Sequence, residues 1–304
     1  MRPVVACYRE FVPSDALKKY VRAIFSYVPG TAANPTRRKT TCEIVGLMGD
    51  SFCPPMFADG HASVALNLGM ICRGNGVWER DSAGCRGKVT GAVTRVDSVG
   101  IERAEMIGVY FHAGQLASFT AVPIHELTDR IVDLENLWGS AASALPVRLA
   151  EMNEAARIDA LESLLIRRIR NRTRSTSSVD VLGLAASVLE SRGQVTVEEM
   201  AFQSGVSRQH LTRLFRECVG VTPKVYCRLA RFQSGLVYAG SGETDWAQAA
   251  LDLGYADQSH MIAEFREFSS LTPQMLAAKR WLHPFIERTK HWKVVGRNER
   301  KMGS

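Results

Sequence analysis

The chain has no Cys-x-x-Cys pair, although it carries seven cysteines: Cys7, Cys42, Cys53, Cys72, Cys85, Cys218 and Cys227. That number and spacing argue against a disulfide framework and a zinc knuckle, and suit reduced cytosolic thiols. No apolar run approaches the roughly 18–20 residues that span a bilayer, and Met1 to Val12 lacks a signal-peptide pattern. A cytoplasmic protein with no membrane partner is therefore expected. There is no Gly-x-Ser-x-Gly or comparable nucleophile arrangement, and His61, His112 and His125 form no His-x-His with a following Glu. Neither an enzyme nor a metal or cofactor site is expected from such a chain.

What is present is ordinary in bulk and specific in one stretch. At 304 residues, 46% hydrophobic and 23% charged, the chain has length for about two globular domains. A net charge of +7 permits a nucleic-acid partner without requiring one. Between Thr196 and Pro273 a unit is written twice. Phe215-Arg216-Glu217 leads to Thr222-Pro223, and Phe265-Arg266-Glu267 leads to Thr272-Pro273, an offset that also carries His210 onto His260 and Leu211 onto Met261. Two copies of a compact helical unit suit a ligand that itself repeats, and a double helix is the obvious one.

The local signals within the repeat are consistent. Thr196-Val197-Glu198-Glu199 spells a capping box, Gly205 supplies a left-handed turn, and Ser207 caps a helix predicted from Arg208 to about Val219. On that helix Leu211, Leu214, Phe215 and Cys218 form an inward stripe. Gln209, Thr212, Arg213 and Arg216 fall on the opposite side, with the chemistry wanted for purine edges and phosphates. Thr222-Pro223 starts a longer helix whose stripe is Tyr226, Leu229, Phe232 and Leu236. The plan then recurs: Asp245 or Thr244 caps Trp246–Leu253, Gly254 turns, and Asp257 caps Gln258–Phe268.

Gly205-Val206-Ser207, His210 to Arg216 and Gly220-Val221-Thr222-Pro223, together with Leu253-Gly254-Tyr255-Ala256-Asp257-Gln258-Ser259-His260, Phe265-Arg266 and Leu271-Thr272-Pro273, resemble the DNA-binding domain of the AraC/XylS family of transcription regulators. The resemblance covers about a hundred residues. It implies two reading helices in successive major grooves about 34 Å apart. Arg208, Gln209, Thr212, Arg213 and Arg216 take the reading and clamping places of the first helix, and Gln258, Ser259, Ile262, Ala263 and Arg266 the matching places of the second. The chain departs from the family there: a polar reader is frequent where Ala263 stands, and an apolar residue where Glu264 stands. From Ser207 to Arg231 six basic residues face one acidic, a net +5, and from Glu243 to Phe268 one faces six, a net −5. The first unit is expected to supply most phosphate contacts and most base discrimination.

Upstream, Ser14-Asp15-Ala16-Leu17 reads as a helix start, with Leu17, Tyr20, Val21, Ile24 and Phe25 at helical spacing up to about Tyr27. Glu43–Leu47, Ser63–Met70, Lys88–Arg95 and Met106–Phe111 read as short strands of a small β-barrel or sandwich. Ala113–Phe119 reads as a short helix, and Ile131 to Leu134 leads to a turn. Pro146–Met152 and Asp159–Ile169 form an α-hairpin whose Leu161, Leu164, Leu165 and Ile169 stripe serves either a core or a dimer seam. Arg167 to Arg174 merge into the linker Ser175 to Ser178, read as a tether or as an arm touching phosphate. Met106 to Gly114, Leu127-Thr128-Asp129 and Leu134 to Gly139 are similar to the cupin-like sensor domain found before some AraC-type domains.

The expected organisation is thus α+β: an N-terminal small β-barrel, cupin-like, with flanking helices over 1–170 for effector sensing or dimerisation, a linker at 171–180, an all-α tandem helix-turn-helix over 181–283, and a basic tail at 284–304. Arg37, Arg38 and Lys39 are the candidate effector-binding residues, since guanidinium forks match phosphate oxygens. A basic loop before a small barrel, with Asp59 and Ser63 beyond it, is similar to PilZ-type sites. It keeps neither the Arg-x-x-x-Arg nor the Asp-x-Ser-x-x-Gly spacing, which makes cyclic di-GMP one named candidate beside a sugar, an aromatic acid or no ligand. The function expected is a transcription activator that binds double-stranded DNA, engages RNA polymerase, responds to a small molecule and pairs as a homodimer. The alternatives are a constitutive dimeric DNA-binding protein and a regulator fused to a degenerate enzyme-like domain.

Overall fold

The computed structural model describes residues 4–29, 40–48, 58–72, 78–80, 86–95, 104–170, 179–240 and 245–278. The first part is an antiparallel sheet of eight strands: β1 (Val4–Phe11), β2 (Val21–Pro29), β3 (Thr40–Met48), β4 (Ser63–Cys72), β5 (Trp78–Arg80), β6 (Arg86–Thr90), β7 (Ala104–Phe111) and β8 (Ile131–Asp133). Their order is β3-β1-β2-β7-β4-β6-β8, with β5 beside β4. Among the described residues no pairing joins β3 to β8, so the sheet is open and the expected cupin-like barrel is not found.

The helix expected from Leu17 to Tyr27 is corrected. Residues 15–20 form turns, in which the Leu17 and Lys18 amides donate to the Ser14 carbonyl, and β2 begins at Val21. Val21, Ile24, Phe25, Tyr27 and Val28 are β-branched or aromatic, and β2 pairs with β1 on one side and β7 on the other. Two ladders of backbone hydrogen bonds outweigh a short helical pattern that has no partner face. Gln115–Ser118 is a 3₁₀ turn within the expected short helix, and Ile131 to Leu134 is a strand running into α1 (Leu134–Trp138) rather than a turn.

α2 (Leu145–Ala150) and α3 (Glu154–Arg170) make the expected hairpin. It lies on one face of the sheet, where Phe11, Ile24, Val64, Val109 and Phe111 meet Leu134, Trp138, Leu149 and Ile158. Leu161 and Leu165 are fully buried there and Leu164 and Ile169 pack against the same cluster, so the stripe is core. Burying each such leucine contributes about 1.5–3 kcal/mol. Polar ties add direction: Arg9 donates to Glu154 at 2.6 Å, and Arg157 holds Glu105 and the Leu149 and Ala150 carbonyls. The opposite face carries Tyr8, Phe25 and Tyr27 with Tyr110.

The second part is helical: α4 (Val181–Glu190), α5 (Val197–Ser204), α6 (Arg208–Cys218), α7 (Pro223–Gly240), α8 (Trp246–Asp252), α9 (Gln258–Ser269) and α10 (Pro273–Ala278). Two clusters sit within it. One gathers Val188, Met200, Leu211, Leu214, Phe215 and Tyr226, and the other Leu229, Phe232, Leu236, Met261, Phe265 and Phe268. α7 belongs to both, so it is the shared spine. No described helix is long and apolar enough to cross a membrane.

Candidate nucleic-acid interface

α5 and α6 form the first helix-turn-helix. The capping box closes as its sequence spells: the Thr196 hydroxyl accepts from the Glu199 amide at 3.1 Å and the Glu199 carboxylate accepts from the Thr196 amide at 2.8 Å. Hydrogen bonds from Thr196 hold the exposed Glu199 carboxyl below its ordinary range. Gly205 ends α5 with a left-handed φ of 65°, and Ser207 accepts from the His210 amide to start α6. Leu211, Leu214 and Phe215 are buried, which turns the other side of α6 to solvent.

α8 and α9 repeat the arrangement. Asp245 accepts from the Gln248 amide, Gly254 takes a left-handed φ of 77°, and Asp257 accepts from the His260 amide at 2.8 Å. Met261, Phe265 and Phe268 fill the inward places, with Phe265 edge-on to Phe232 of α7 at 5.0 Å between ring centroids.

On α6, Arg208, Gln209, Arg213 and Arg216 are exposed and Thr212 is half-buried, its hydroxyl donating back to the Arg208 carbonyl at 2.8 Å. Two of the arginines are held by carboxylates. Arg208 pairs with Glu198 at 2.7 Å and lowers its pKa, and Arg213 pairs with Glu217 one turn on at 2.9 Å. Both pairs are open to water, where such pairs are held by little energy. On the second helix Gln258, Ser259, Ala263 and Arg266 are exposed and Ile262 is half-buried. The ten residues therefore form two outward patches, one on each helix.

Sequence reasoning missed what happens to the basic surplus. Arg228 and Arg231, counted towards the first unit's charge, lie on α7 and turn towards α9. Arg228 Nε donates to Glu264 Oε1 at 2.7 Å, its Nη2 holds Glu267, and Arg231 Nη2 stands 3.8 Å from the same Glu264 oxygen. The surplus available to phosphate is smaller than the letters suggest. Arg37, Arg38 and Lys39 lie outside the described residues, as does Cys85. Cys227 is buried, and burial pushes its thiol up to about 11, so it is not poised for thiolate chemistry.

Residues 200–279 match a family described as a helix-turn-helix domain. The chain carries an AraC-type helix-turn-helix domain. Such a domain supports a DNA-binding role for this part of the chain. Residues 9–133 match a second family, described as a domain of unknown function, DUF6597. No curated protein matches the chain. Among solved structures, ToxT from Vibrio cholerae is 12% identical over 73% of this chain and 91% of its own, with a TM-score of 0.39. An unsaturated fatty acid bound ToxT from the same organism is 12% identical over 91% of this chain and 94% of its own, with a TM-score of 0.35.

The AraC-type domain does not stand apart from the sheet. Thr128 donates from its hydroxyl to the Gly220 carbonyl at 2.8 Å, just beyond the end of α6. A Cβ on Gly220, whose φ is 98°, would sit 2.8 Å from that hydroxyl and 3.0 Å from Ile124, so the two surfaces are in tight contact. Ala92 and Ala113 pack into the core of the first unit. On α7, Gln233 donates to the Ala58 carbonyl at 2.7 Å, and Gly60, with φ 66°, lies so close to Tyr226 that a Cβ would be 3.1 Å from its ring. Next to it Asp59 accepts from the His61 amide at 2.9 Å, and burial with the nearby His61 holds His112 down to about 4.

Proposed function

We propose that the chain is a cytoplasmic transcription regulator with two domains, 1–170 and 181–283, in which the first controls how the two reading helices of the second engage DNA. The reading helices are α6 and α9. The observation that carries it is the pair of capped helices, each with its apolar side locked in a core shared with α7 and its polar side open to solvent. That is the arrangement that lets base edges be reached from a rigid support. Arg208, Gln209, Thr212, Arg213 and Arg216 read and clamp the first half-site, and Gln258, Ser259, Ile262, Ala263 and Arg266 the second.

Control by the N-terminal domain is supported by its contacts with α6 and α7: any shift of the segment around Ala58–Ala62 or of Thr128 is felt by the helices that position the readers. The effector is a small molecule, with cyclic di-GMP the test ligand that Arg37–Lys39 suggest, and the regulator acts as an activator engaging RNA polymerase. The decisive experiment selects duplexes from a randomised library with the full-length chain and footprints the winners. Two protected half-sites one helical turn apart support the reading, and binding with no sequence preference sinks it. Thermal-shift screening with cyclic dinucleotides, sugars and aromatic acids tests the effector. If none alters stability or affinity for the selected duplex, the domain is a constitutive dimerisation module instead.

A further inference from the structure

Leu214 of α6 and Glu264 of α9 occupy the same place in the two copies of the repeat, three residues after Leu211 and Met261. Both are buried, at 6% and 4% exposure. A carboxylate buried where its counterpart is a leucine is destabilising unless it is paired. Here it is met from α7, by Arg228 at 2.7 Å and Arg231 at 3.8 Å, and from its own helix by His260 at 3.7 Å. Arg228 also holds Glu267, and its guanidinium lies 4.9 Å from the centre of the Phe268 ring. Arg231 reaches the other way, donating to the Gly193 carbonyl at 3.0 Å beside the first unit. Burial first, then the Glu264 charge, keeps the Tyr255 hydroxyl protonated beside the group.

An apolar contact tolerates sliding, whereas a charge-assisted hydrogen bond is directional and defined to a few tenths of an ångström. We infer that Glu264 is a positioning residue: through Arg228 it fixes the roll and pitch of α9 on α7, and so sets the angle at which the second reading helix meets its groove relative to the first. The same contact directs Arg228 and Arg231 inward, away from backbone phosphates. This rests on the reading of the chain as a two-helix DNA reader.

The test uses the full-length chain and a duplex of about three helical turns selected from a randomised library by the wild type, with derivatives substituted in one half-site or the other. Glu264→Leu/Arg228→Met replaces the buried pair by apolar groups, a change that commonly preserves folding. Glu264→Gln keeps the volume and an acceptor, and decides the matter alone if the double variant does not fold. A mismatch in a reading site ordinarily lowers affinity about 5- to 150-fold. For the double variant, mismatches in the α9 half-site are expected to cost under about threefold, and one added base pair between half-sites to be tolerated, while mismatches in the α6 half-site keep their wild-type cost. Glu264→Gln is expected to lose at least about threefold of α9 discrimination. Wild-type discrimination at both half-sites, or equal loss at both, overturns the inference and leaves Glu264 with a stability role only. A wild type that selects no duplex removes the DNA-reader reading, and the inference with it.

Discussion

Arg213 and Arg216 lie on the same side of α6 but are held differently: Arg213 is paired with Glu217, and Arg216 is exposed. Replacing Arg213 by Ala should lower affinity for a selected duplex by about 1–3 kcal/mol if it reads a base, and Glu217→Gln should raise affinity by freeing the guanidinium. Arg216→Ala should instead flatten the dependence of log K on log salt by about one unit, the mark of a phosphate contact. Gel shifts at several salt concentrations separate the two roles. Ala263→Arg should strengthen or broaden binding by adding a cation to the weaker reading face. A different residue carries the pH response. His112 is held at about 4 when folded, by burial first, against about 6.5 when unfolded. Between those values the unfolded chain binds more protons, so the contribution is complete above about pH 6.5 and lost as pH falls towards 4. Stability from urea unfolding should fall by about 2 kcal/mol between pH 7.5 and 5 on this account, and His112→Gln should remove that part of the slope.

The elements most legible in the sequence were those whose determinants are local. The Thr196–Glu199 box, the Gly205 and Gly254 turns and the Ser207 and Asp257 caps each involve residues a few positions apart, and each forms as its letters spell. Removing one should be felt locally: Thr196→Ala is expected to cost about 1 kcal/mol in urea unfolding while leaving the footprint unchanged, because the α6 face is set by Ser207 and the core. The sheet was less legible. Leu17 to Tyr27 has a helical spacing of apolar residues, yet β2 forms because β1 and β7 flank it, and neither neighbour is visible within an eleven-residue window. β1 is illegible for the same reason, since its partners β2 and β3 lie beyond such a window. On α6 the outward side of Gln209, Thr212, Arg213 and Arg216 is legible from helical periodicity, whereas the α9 residues are named only through the family resemblance, and Glu264 did not explain itself. Its meaning depends on Arg228, 36 residues earlier. Likewise the close approach that Gly60 permits involves Tyr226, far along the chain, so no local pattern announces it.

For the whole molecule, the consequence of that approach is that sheet and helices share surfaces that neither can satisfy alone. Ala58 is buried in the core of the second helical unit, and Ala92 and Ala113 in that of the first. Among the described residues, hydrogen bonds cross the junction at separate points, including Thr128 to the Gly220 carbonyl, 92 residues on, and Gln233 to the Ala58 carbonyl, 175 residues back. One reaches the turn just beyond α6 and the other the α7 spine between the two helical units. Each carbonyl would lose its partner if the donor were removed, at a cost of about 1–3 kcal/mol where water cannot replace it. The two bonds share no residue, one ending in the turn beyond α6 and the other starting from α7, so their losses should nearly add. Wild-type protein should therefore melt in one calorimetric transition, because opening the junction exposes apolar surface on both sides. In Thr128→Val/Gln233→Leu the junction should weaken enough for the transition to split, with each single variant lowering the melting temperature without splitting it. If the double variant still melts as one unit, the apolar contacts of Ala58, Ala92 and Ala113 alone hold the parts together, and the crossing hydrogen bonds have no part in transmitting a signal. If it splits while affinity for a selected duplex changes, the junction is where the N-terminal region acts on the readers.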